Sequence, residues 1–396
     1  MSRVLLGVTG GIAAYKACEL VRMLARAGHE VRVVATRNGL RFASATALEA
    51  LSGHPVRRRL FDPGEESEIS HIALADWPEV VAIAPATANA LAKLAHGLAD
   101  DLLSTVCLAT RAPLVLAPAM NVNMYRHPAT QENLAVLQKR GALTVGPESG
   151  ELACGWEGEG RLAGLESIVA AIEKAAGPGD LRGETVLITA GPTAEPLDPV
   201  RVLTNRSSGK MGFALASEAA RRGAEVILVA GPVALPTPFG VQRIDVETTE
   251  QMYAAVMDGM DRASIVIKSA AVADYRPREA APSKLKRAGV QTLSVDLVSN
   301  PDISAAVAQR KGSRTLVGFA AETERLIENA TDKLLRKGYD LIVGNDVSRS
   351  DIAFHADRNE VVVIGPGPQD VRHLAIAPKR EIASLILDRV LEVRRK

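Results

Sequence analysis

The chain has 396 residues and a formal net charge of +1, which predicts two domains and no broad electrostatic attraction for nucleic acid or an anionic membrane. Its three cysteines are far apart, which is typical of a reduced cytoplasmic protein, and with the seven histidines they form no metal-ligand spacing. The apolar run at the N-terminus is too short for a signal peptide, and no apolar stretch elsewhere is long enough to span a membrane. We therefore expect a cytoplasmic protein with no nucleic-acid or membrane partner.

Short apolar strands alternate with helical patterns through the first part of the chain. The strands are VLLGV, VRVVAT, VVAIAP, LVLAPAM and LTVGP, and helices are predicted over residues 13–27, 88–110, 128–140 and 164–176. Continuous apolar strands that alternate with helices indicate a parallel, doubly wound α/β sheet.

The Gly and Pro cluster AAGPGDLRGE, residues 175–184, is predicted to be a linker. After it the alternation begins again with the strands TVLITAGPT, EVILVAGPV, SIVIKSAAV, TLVGFAAET and DLIVGND and with helices over 212–222, 251–260 and 324–337. The sequence therefore predicts two mainly parallel α/β domains, over residues 1–178 and 179–396.

The glycine turn GVTGGIAAYK follows the first strand and opens the first helix, where free N–H groups and the helix dipole favour a phosphate. The dinucleotide fingerprint G-x-G-x-x-G is absent, and the second strand ends in Thr36 and Arg37 rather than in an acidic residue. This pattern disfavours NAD and is compatible with flavin mononucleotide (FMN). The alternative is a glycine turn that only lets the helix pack on the strand.

Basic and hydroxyl residues in the second half predict a second anion site. NRSSGKMG, residues 205–212, has two serines, two glycines and a lysine at a helix start, but Met211 follows the lysine where a P-loop has a hydroxyl residue. KLKR, residues 284–287, lies in a polar loop, and Lys333 and Lys337 are four residues apart on one helix. Taken singly, each lysine is more readily explained as a solvated surface charge.

Cys154 lies in GELACGWEGEGR, among glycines and charged residues rather than in an apolar element. Glycines at this density indicate a loop that can close over a ligand. From these residues alone, an incidental cysteine in a surface loop is an equal alternative.

Taken together, these segments resemble the bifunctional phosphopantothenoylcysteine decarboxylase and phosphopantothenate:cysteine ligase family of coenzyme A biosynthesis. The resemblance covers almost the whole chain and rests on SHIALADW, APATANALAKLAHGLADDLL, PAMNVNMY and ACGWEGEGR in the first half. In the second half it rests on AGPTAEPLDPVRVLTNRSSGKMG, AAVADYRP, KLKR, NPDI and GFAAET. It implies a flavoprotein-like first domain and a Rossmann-like second domain.

For the first domain the resemblance implies an FMN-dependent decarboxylation in which the substrate thiol is first oxidised, which eases loss of CO₂, and is later reduced. Cys154 matches the family's proton donor and His71 its catalytic histidine. Asn121 would hold the substrate carboxylate, with Met124 and Arg161 as further substrate contacts. The expected FMN contacts are Gly10, Gly11, Thr36, Thr87, Asn89 and Ser104.

For the second domain the resemblance implies that 4'-phosphopantothenate attacks CTP, that pyrophosphate leaves, and that the cysteine amine then attacks the acyl cytidylate. Asn205 matches the residue that stabilises the acyl cytidylate, Lys284 a catalytic lysine, and Asp274 a nucleotide-binding residue that would also hold Mg²⁺. The remaining expected CTP contacts are Ser208, Gly209, Lys210, Lys268, Ser269, Ala270, Asn300, Pro301, Asp302, Ile303, Phe319, Lys333 and Lys337.

Two positions depart from the family pattern: Arg287 stands where a second lysine is common, and Lys268 where a small residue is common. The resemblance also implies a homo-oligomer, with trimeric contacts through the first domain and dimeric contacts through the second. The rival interpretations are a non-catalytic flavin-binding subunit, which the presence of both His71 and Cys154 disfavours, and a nicotinamide-dependent reductase, which the missing acidic residue disfavours.

Overall fold

The computed structural model describes residues 1–60, 70–151, 155–286, 292–346, 348, 356–367 and 370–395. Within them the chain forms two compact units, residues Met1–Gly177 and Pro178–Lys396. No helix in these ranges is long and apolar enough to cross a membrane.

The first unit is built on a parallel sheet with helices between successive strands. Its strands are β1 (Arg3–Val8), β2 (Glu30–Ala35), β3 (Val80–Ala86), β4 (Leu114–Pro118), β5 (Leu143–Thr144), β6 (Glu148–Glu151) and β7 (Glu157–Arg161). Its helices are α1 (Ala17–Arg26), α2 (Ala45–Ser52), α3 (Ser70–Asp76), α4 (Ala88–His96), α5 (Leu102–Ala109), α6 (Val122–Arg126), α7 (Pro128–Lys139) and α8 (Leu165–Ala175).

The main sheet of the first unit has the order β2-β1-β3-β4-β5, with every described pairing parallel. All seven residues of β3 are buried, which is why its sequence is continuously apolar rather than alternating. The chain leaves β1 in one direction to β2 and later returns on the other side to β3, so the strand order reverses between β1 and β3. Open α/β sheets bind ligands at this point.

Two predicted helices of the first unit differ from the structure. The helix expected over 88–110 is two helices, because Gly97 adopts a left-handed conformation (φ 69°) that ends α4, and Asp101 then caps α5. The helix expected over 13–27 begins with a 3₁₀ turn, Ile12–Lys16, before α1. The antiparallel hairpin of β6 and β7 was not predicted, since its glycines and charges lack the usual strand pattern.

The second unit has a larger sheet with two antiparallel ribbons beside it. Its strands are β8 (Thr185–Ala190), β9 (Ala194–Pro196), β10 (Val202–Thr204), β11 (Glu225–Ala230), β12 (Val241–Asp245), β13 (Ile265–Lys268), β14 (Tyr275–Pro277), β15 (Leu297–Ser299), β16 (Thr315–Glu322), β17 (Leu341–Asp346), β18 (Arg358–Ile364) and β19 (Val371–Pro378). Its helices are α9 (Lys210–Arg221), α10 (Thr249–Gly259), α11 (Ile303–Gln309), α12 (Leu326–Lys337) and α13 (Lys379–Arg394).

The large sheet has the order β12-β11-β8-β13-β16-β17-β18-β19, parallel through β17 and antiparallel in its last two strands. The order of its parallel part is that of a Rossmann fold, with the reversal between β8 and β13. The predicted fold class, two mainly parallel doubly wound α/β domains, is confirmed. Strands β18 and β19 and helix α13 were not predicted.

The predicted linker is shorter than its sequence indicated. Leu181 is fully buried in the core of the second unit, and Asp180 accepts a hydrogen bond of 3.0 Å from Arg222 Nε. Residues 180–184 therefore belong to the second unit, because an apolar side chain and a charged pair fix them there.

Candidate functional site

A cleft of about 530 Å³ opens in the first unit at the carboxyl ends of β1 and β3. Thr9 joins the two strand ends, since its hydroxyl donates to Pro85 O (2.6 Å) and accepts from Thr87 N (3.1 Å). The glycine turn after β1 is therefore held beside the start of α4. The predicted residues that line this cleft are Gly10, Gly11, Thr36, Thr87, Asn89, Ser104 and Met124.

Two helix N-termini face the first-unit cleft. Thr87 caps α4 by accepting from Ala90 N, and Asp101 caps α5 by accepting from Ser104 N (2.8 Å). Burial alone would raise the pKa of Asp101, but hydrogen bonds from Lys93 and Ser104 hold that pKa below its ordinary value. This end of the cleft therefore carries an ionised carboxylate paired with Lys93 at 2.7 Å.

The other predicted residues of the first unit lie outside this lining. Asn121 caps α6 between Met120 and Met124, which both line the cleft. His71 lies in the first turn of α3, and the side chain of Arg161 passes over Gly150 of the opposite strand. Cys154 lies outside the described residues; in sequence it belongs to the segment that joins β6 to β7.

The β6–β7 hairpin packs tightly against the segment that carries Asn121. Met120 N donates to Gly160 O at 2.9 Å, and a Cβ on Gly160 would lie only 2.2 Å from Met120 O. A glycine is needed here because no side chain fits between the two backbones. The hairpin strand β7 is thus held against the segment that carries Asn121.

Two adjoining cavities lie in the second unit at the carboxyl ends of β8, β13 and β16. The serine cavity, about 290 Å³, is bounded by Ser207, Ser208 and the start of α9; the lysine cavity, about 350 Å³, is bounded by Lys268, Lys333 and Lys337. The residues that line both are Ala270, Val272, Asp274, Phe319 and Lys333. The two cavities therefore form one continuous recess.

Most predicted nucleotide residues line this recess. The serine cavity includes Ser208, Gly209, Lys210 and Ser269 in addition to the shared residues. The lysine cavity includes Lys268, Asn300, Pro301, Asp302, Ile303 and Lys337. Positions from 208 to 337 are thus brought together by the strand order rather than by sequence proximity.

Three lysines make the lysine cavity electropositive, and each is held by a specific contact. Lys333 Nζ donates to Phe319 O (2.8 Å), Lys337 pairs with Asp302, and Lys268 Nζ donates to Ser304 Oγ (2.5 Å). Burial lowers the pKa of Lys268 to about 7, and nearby Lys333 and Lys337 act in the same direction. Burial also lowers the pKa of Lys333, against the opposing effect of Glu322 and Asp274.

Two predicted catalytic residues, Asn205 and Lys284, are not part of the recess lining. The amide of Asn205 donates to Ala271 O (3.2 Å) and Val272 O (3.0 Å), the backbone that forms one wall. Lys284 is exposed in the irregular stretch between β14 and β15. Arg287, one of the two departures from the family pattern, lies outside the described residues.

Sequence reasoning missed several lining residues. In the first-unit cleft these are Arg58, Lys93 and Asp101, and in the serine cavity they are Asn345, Asn359 and Lys379. The spacing of Asp101 and Ser104 before an apolar run is a helix-capping pattern that could have been recognised. Lys379 had no local signal, because only the antiparallel strands β18 and β19 bring the start of α13 to the cavity.

A magnesium site of several carboxylates is not present in the described ranges, which contain no group of three or more His, Cys, Asp or Glu side chains placed to hold a metal. Asp274 is a single carboxylate at the recess. A single carboxylate is compatible with an ion bound mainly by phosphate oxygens and water.

Comparison with known proteins assigns each unit to a family. The model of the Flavoprotein family matches residues 1–177, and that of the DNA/pantothenate metabolism flavoprotein C-terminal domain matches residues 181–393. The C-terminal domain of a CoaBC protein, known as a crystal structure, is 38% identical and covers 55% of this chain and 100% of its own, with a TM-score of 0.47.

Full-length relatives match the chain from end to end. The coenzyme A biosynthesis bifunctional protein CoaBC of Vibrio cholerae is 48% identical over 392 residues, which cover 98% of each chain. The CoaBC protein of Escherichia coli is 48% identical over 393 residues, which cover 98% of this chain and 96% of the relative. The resemblance stated from the sequence is confirmed: the chain belongs to the family of coenzyme A biosynthesis bifunctional proteins.

Proposed function

We propose that the unit ending at residue 177 is the phosphopantothenoylcysteine decarboxylase and that the following unit is the phosphopantothenate:cysteine ligase. The ligase joins cysteine to 4'-phosphopantothenate through an acyl cytidylate formed from CTP, and the decarboxylase converts the product to 4'-phosphopantetheine. One observation carries the proposal: the residues expected to bind FMN and the residues expected to bind CTP come from scattered positions, and they line cavities at the strand-order reversal of each sheet.

The first-unit cleft is the proposed FMN site. Its volume of about 530 Å³ lies in the range of cofactor pockets, and the strand order β2-β1-β3-β4-β5 is the flavodoxin-like order, which holds FMN between the first and third strands. We place the phosphate toward the glycine turn, Arg37 and Arg58, because two guanidinium groups and the backbone N–H groups of the turn favour an anion there. FMN would supply the reversible oxidation of the substrate thiol.

The residues around this cleft divide the acid, base and binding roles. Asn121 offers an amide that can hold a carboxylate without a charge that would retain it, and Met124 lines the cleft beside it. His71 is the proposed base, because a ring nitrogen of its imidazole can accept a proton. Cys154 is the proposed proton donor, delivered by the segment between β6 and β7.

The recess of the second unit is the proposed site for CTP. Lys268, Lys333 and Lys337 face one cavity, where their positive charge suits a triphosphate, and Phe319 offers an apolar wall to the base. The start of α9 directs the positive end of its helix dipole toward the serine cavity, with Ser208 and Lys210 in the lining. Mg²⁺ would bind through phosphate oxygens and Asp274.

Self-association is the proposed role of the exposed apolar side chains on the two ribbons of the second unit. β9–β10 and β14–β15 contact each other through β9 and β14, so their outer residues share one region. The exposed residues are Val200, Val202, Leu203, Tyr275, Leu293, Val295 and Leu297. A patch of this composition favours a dimer contact.

The first unit also has exposed apolar side chains, and we propose that they form the trimeric contact. They are Ile12, Tyr15, Phe42, Leu98, Leu108 and Met124. Because Met124 also lines the cleft, assembly would complete the decarboxylase site.

The proposed function is tested by incubating the purified chain with 4'-phosphopantothenate, cysteine, CTP and Mg²⁺ and following products by mass spectrometry. We expect phosphopantothenoylcysteine, then 4'-phosphopantetheine with CO₂, and a yellow protein whose released flavin is FMN. Omission of CTP should stop the first product, while supplied phosphopantothenoylcysteine should still be decarboxylated. Absence of either conversion would contradict the assignment of the corresponding unit.

A further inference from the structure

Lys284 lies on a stretch that no strand or helix holds. Residues 278–286 follow β14 without regular structure, and the Lys284 side chain is exposed. A lysine that acts on a reacting phosphate must be placed to within a fraction of an ångström for efficient catalysis. The backbone on either side of Lys284 therefore needs an anchor outside its own loop.

The tip of the β9–β10 hairpin provides that anchor through the buried carboxylate of Asp198. Its Oδ1 accepts from Val200 N and Arg201 N, both at 2.8 Å, and so shapes the hairpin turn. Its Oδ2 accepts from Leu285 N at 3.1 Å, which fixes the peptide group that joins Lys284 to Leu285. One carboxylate thus connects the turn to the loop.

Arg201 completes the contact. Its NH1 group donates to Leu285 O at 3.0 Å and to Asp198 Oδ2 at 3.3 Å, so the N–H and the C=O of Leu285 are both held. A second attachment, from Ala281 N to Leu197 O at 3.0 Å, fixes the loop three residues before Lys284. The loop is therefore secured on both sides of the lysine.

The charge state of Asp198 suits this role. Burial would raise the pKa of Asp198, but the N–H groups of Leu285, Val200 and Arg201 outweigh it and hold the pKa below its ordinary value. The group is a carboxylate at neutral pH and accepts from all of its donors at once.

The same hairpin also carries Asn205, which follows the last residue of β10. Both proposed catalytic residues of the ligase are thus attached to one element. We propose that Asp198, with Arg201, is the positioning residue that fixes the backbone next to Lys284 and so directs this lysine, an inference that rests on the proposed ligase function of this unit.

The variant Asp198→Asn tests this proposal, because an asparagine amide has one accepting oxygen where the carboxylate has two. The variant therefore loses either the hydrogen bonds from Val200 N and Arg201 N or the one from Leu285 N. We expect acyl-cytidylate formation to slow by about 100-fold in single-turnover quenched reactions, with the KM for CTP changed by less than about threefold. Decarboxylation of supplied phosphopantothenoylcysteine, measured on the same sample, should be unchanged.

A double-mutant cycle separates positioning from general stability. In a Lys284→Ala background, Asp198→Asn should slow acyl-cytidylate formation by less than about threefold, because the residue it positions is absent. If the two losses multiply instead, Asp198 does not act through Lys284 and the proposal is overturned. Asp180→Asn is the matched control, because it also replaces a carboxylate that pairs with an arginine, Arg222, which follows the last residue of α9. If Asp180→Asn slows acyl-cytidylate formation as much as Asp198→Asn does, the proposal is also overturned.

Hydrogen exchange provides a test that needs no activity. The backbone N–H groups of Ala281 and of residues 283–286 should exchange faster in Asp198→Asn than in the unmodified chain and should be unaffected in Asp180→Asn. Unchanged exchange would overturn the proposed anchor even if the variant is inactive. If the unmodified chain makes no acyl cytidylate, the ligase function fails while the exchange result still decides whether Asp198 holds the loop.

Discussion

Lys268 is the residue whose chemistry the cavity changes most. Its ammonium group shares Ser304 Oγ with Tyr339, which donates to the same oxygen at 2.8 Å, and burial lowers its pKa to about 7. A lysine with this pKa is mostly neutral at pH 8, which reduces repulsion with Lys333 and Lys337 while the cavity is free of anions. An anion that enters the cavity favours its charged form.

Nucleotide binding at pH 8 should therefore be accompanied by uptake of up to one proton, because the triphosphate raises the pKa of Lys268. The direction follows from the lowered pKa of Lys268: its ammonium charge is present at pH values below 7 and is lost as the pH rises above 7. The affinity for CTP should therefore weaken by up to about tenfold per pH unit above 7. Titration calorimetry in two buffers of different ionisation enthalpy measures the uptake. In Lys268→Met the buffer dependence should disappear, and its persistence would show that another group takes the proton.

The side-chain amide of Asn205 donates to two carbonyl oxygens, and a carboxylate at this position could not make these hydrogen bonds. In Asn205→Asp the carboxylate would face Ala271 O and Val272 O and would also repel the phosphate of the acyl cytidylate, so we expect it to rotate away. Capture of cysteine should slow by more than about tenfold while the acyl cytidylate accumulates, since one lost transition-state contact typically costs this much or more. Quenched samples analysed by mass spectrometry measure both species, and full-rate ligation without the intermediate would contradict the assignment.

At the scale of elements, the apolar strands and glycine turns of the parallel sheets were predictable from sequence because buried parallel strands are continuously apolar. The break between α4 and α5 was not predicted, since the apolar pattern continues through Gly97 and only its left-handed conformation ends the helix. The hairpin of β6 and β7 was missed because its residues are glycine and charged. Its existence depends on packing against the Met120 segment, which is a tertiary contact.

Because of that packing, a substitution at Gly160 tests whether the decarboxylase depends on the position of the β6–β7 hairpin. In Gly160→Ala the new Cβ would lie 2.2 Å from Met120 O, so the hairpin must move away from the segment that carries Asn121. We expect the decarboxylase rate to fall by more than about tenfold while ligation proceeds normally, because misplacement by an ångström is sufficient for such a loss. Both half-reactions can be followed on the same sample.

Gly141→Ala is the matched control for this variant. Gly141 also has a positive φ of 93°, but no atom lies within 4 Å of its added Cβ. It should cost about 1 kcal/mol of unfolding free energy, from backbone strain alone, and leave the decarboxylase rate near normal. An equal loss of activity in both variants would show that destabilisation, and not displacement of the hairpin, is responsible.

At the scale of the whole molecule, the resemblance supplied residues that are far apart in sequence, and the fold explains why they meet. Ser208 precedes α9 and Lys337 ends α12, yet both border one recess at the carboxyl ends of β8, β13 and β16. The contribution of Lys379 could not be predicted, since it depends on two antiparallel strands whose pairing follows from the finished sheet.

The division at residue 177 predicts that the two activities can be separated, because each unit has its own core and its own cavity. A fragment of residues 1–177 should be yellow and decarboxylate supplied phosphopantothenoylcysteine, provided that it self-associates. A fragment of residues 178–396 should be colourless and form phosphopantothenoylcysteine from CTP. Absorbance, product analysis and size measured together check all three properties.

The exact start of the second fragment decides whether it folds. A fragment that begins at residue 183 lacks Leu181, whose burial contributes about 1.5–3 kcal/mol, and leaves Arg222 without the Asp180 carboxylate that pairs with it. We therefore expect the 183–396 fragment to unfold at a lower denaturant concentration than the 178–396 fragment and to lose most of its ligase activity at 37 °C, whereas a start at residue 180 should behave like a start at 178. Equal midpoints for all three fragments would show that residues 180–182 are a linker after all, as their sequence alone indicated.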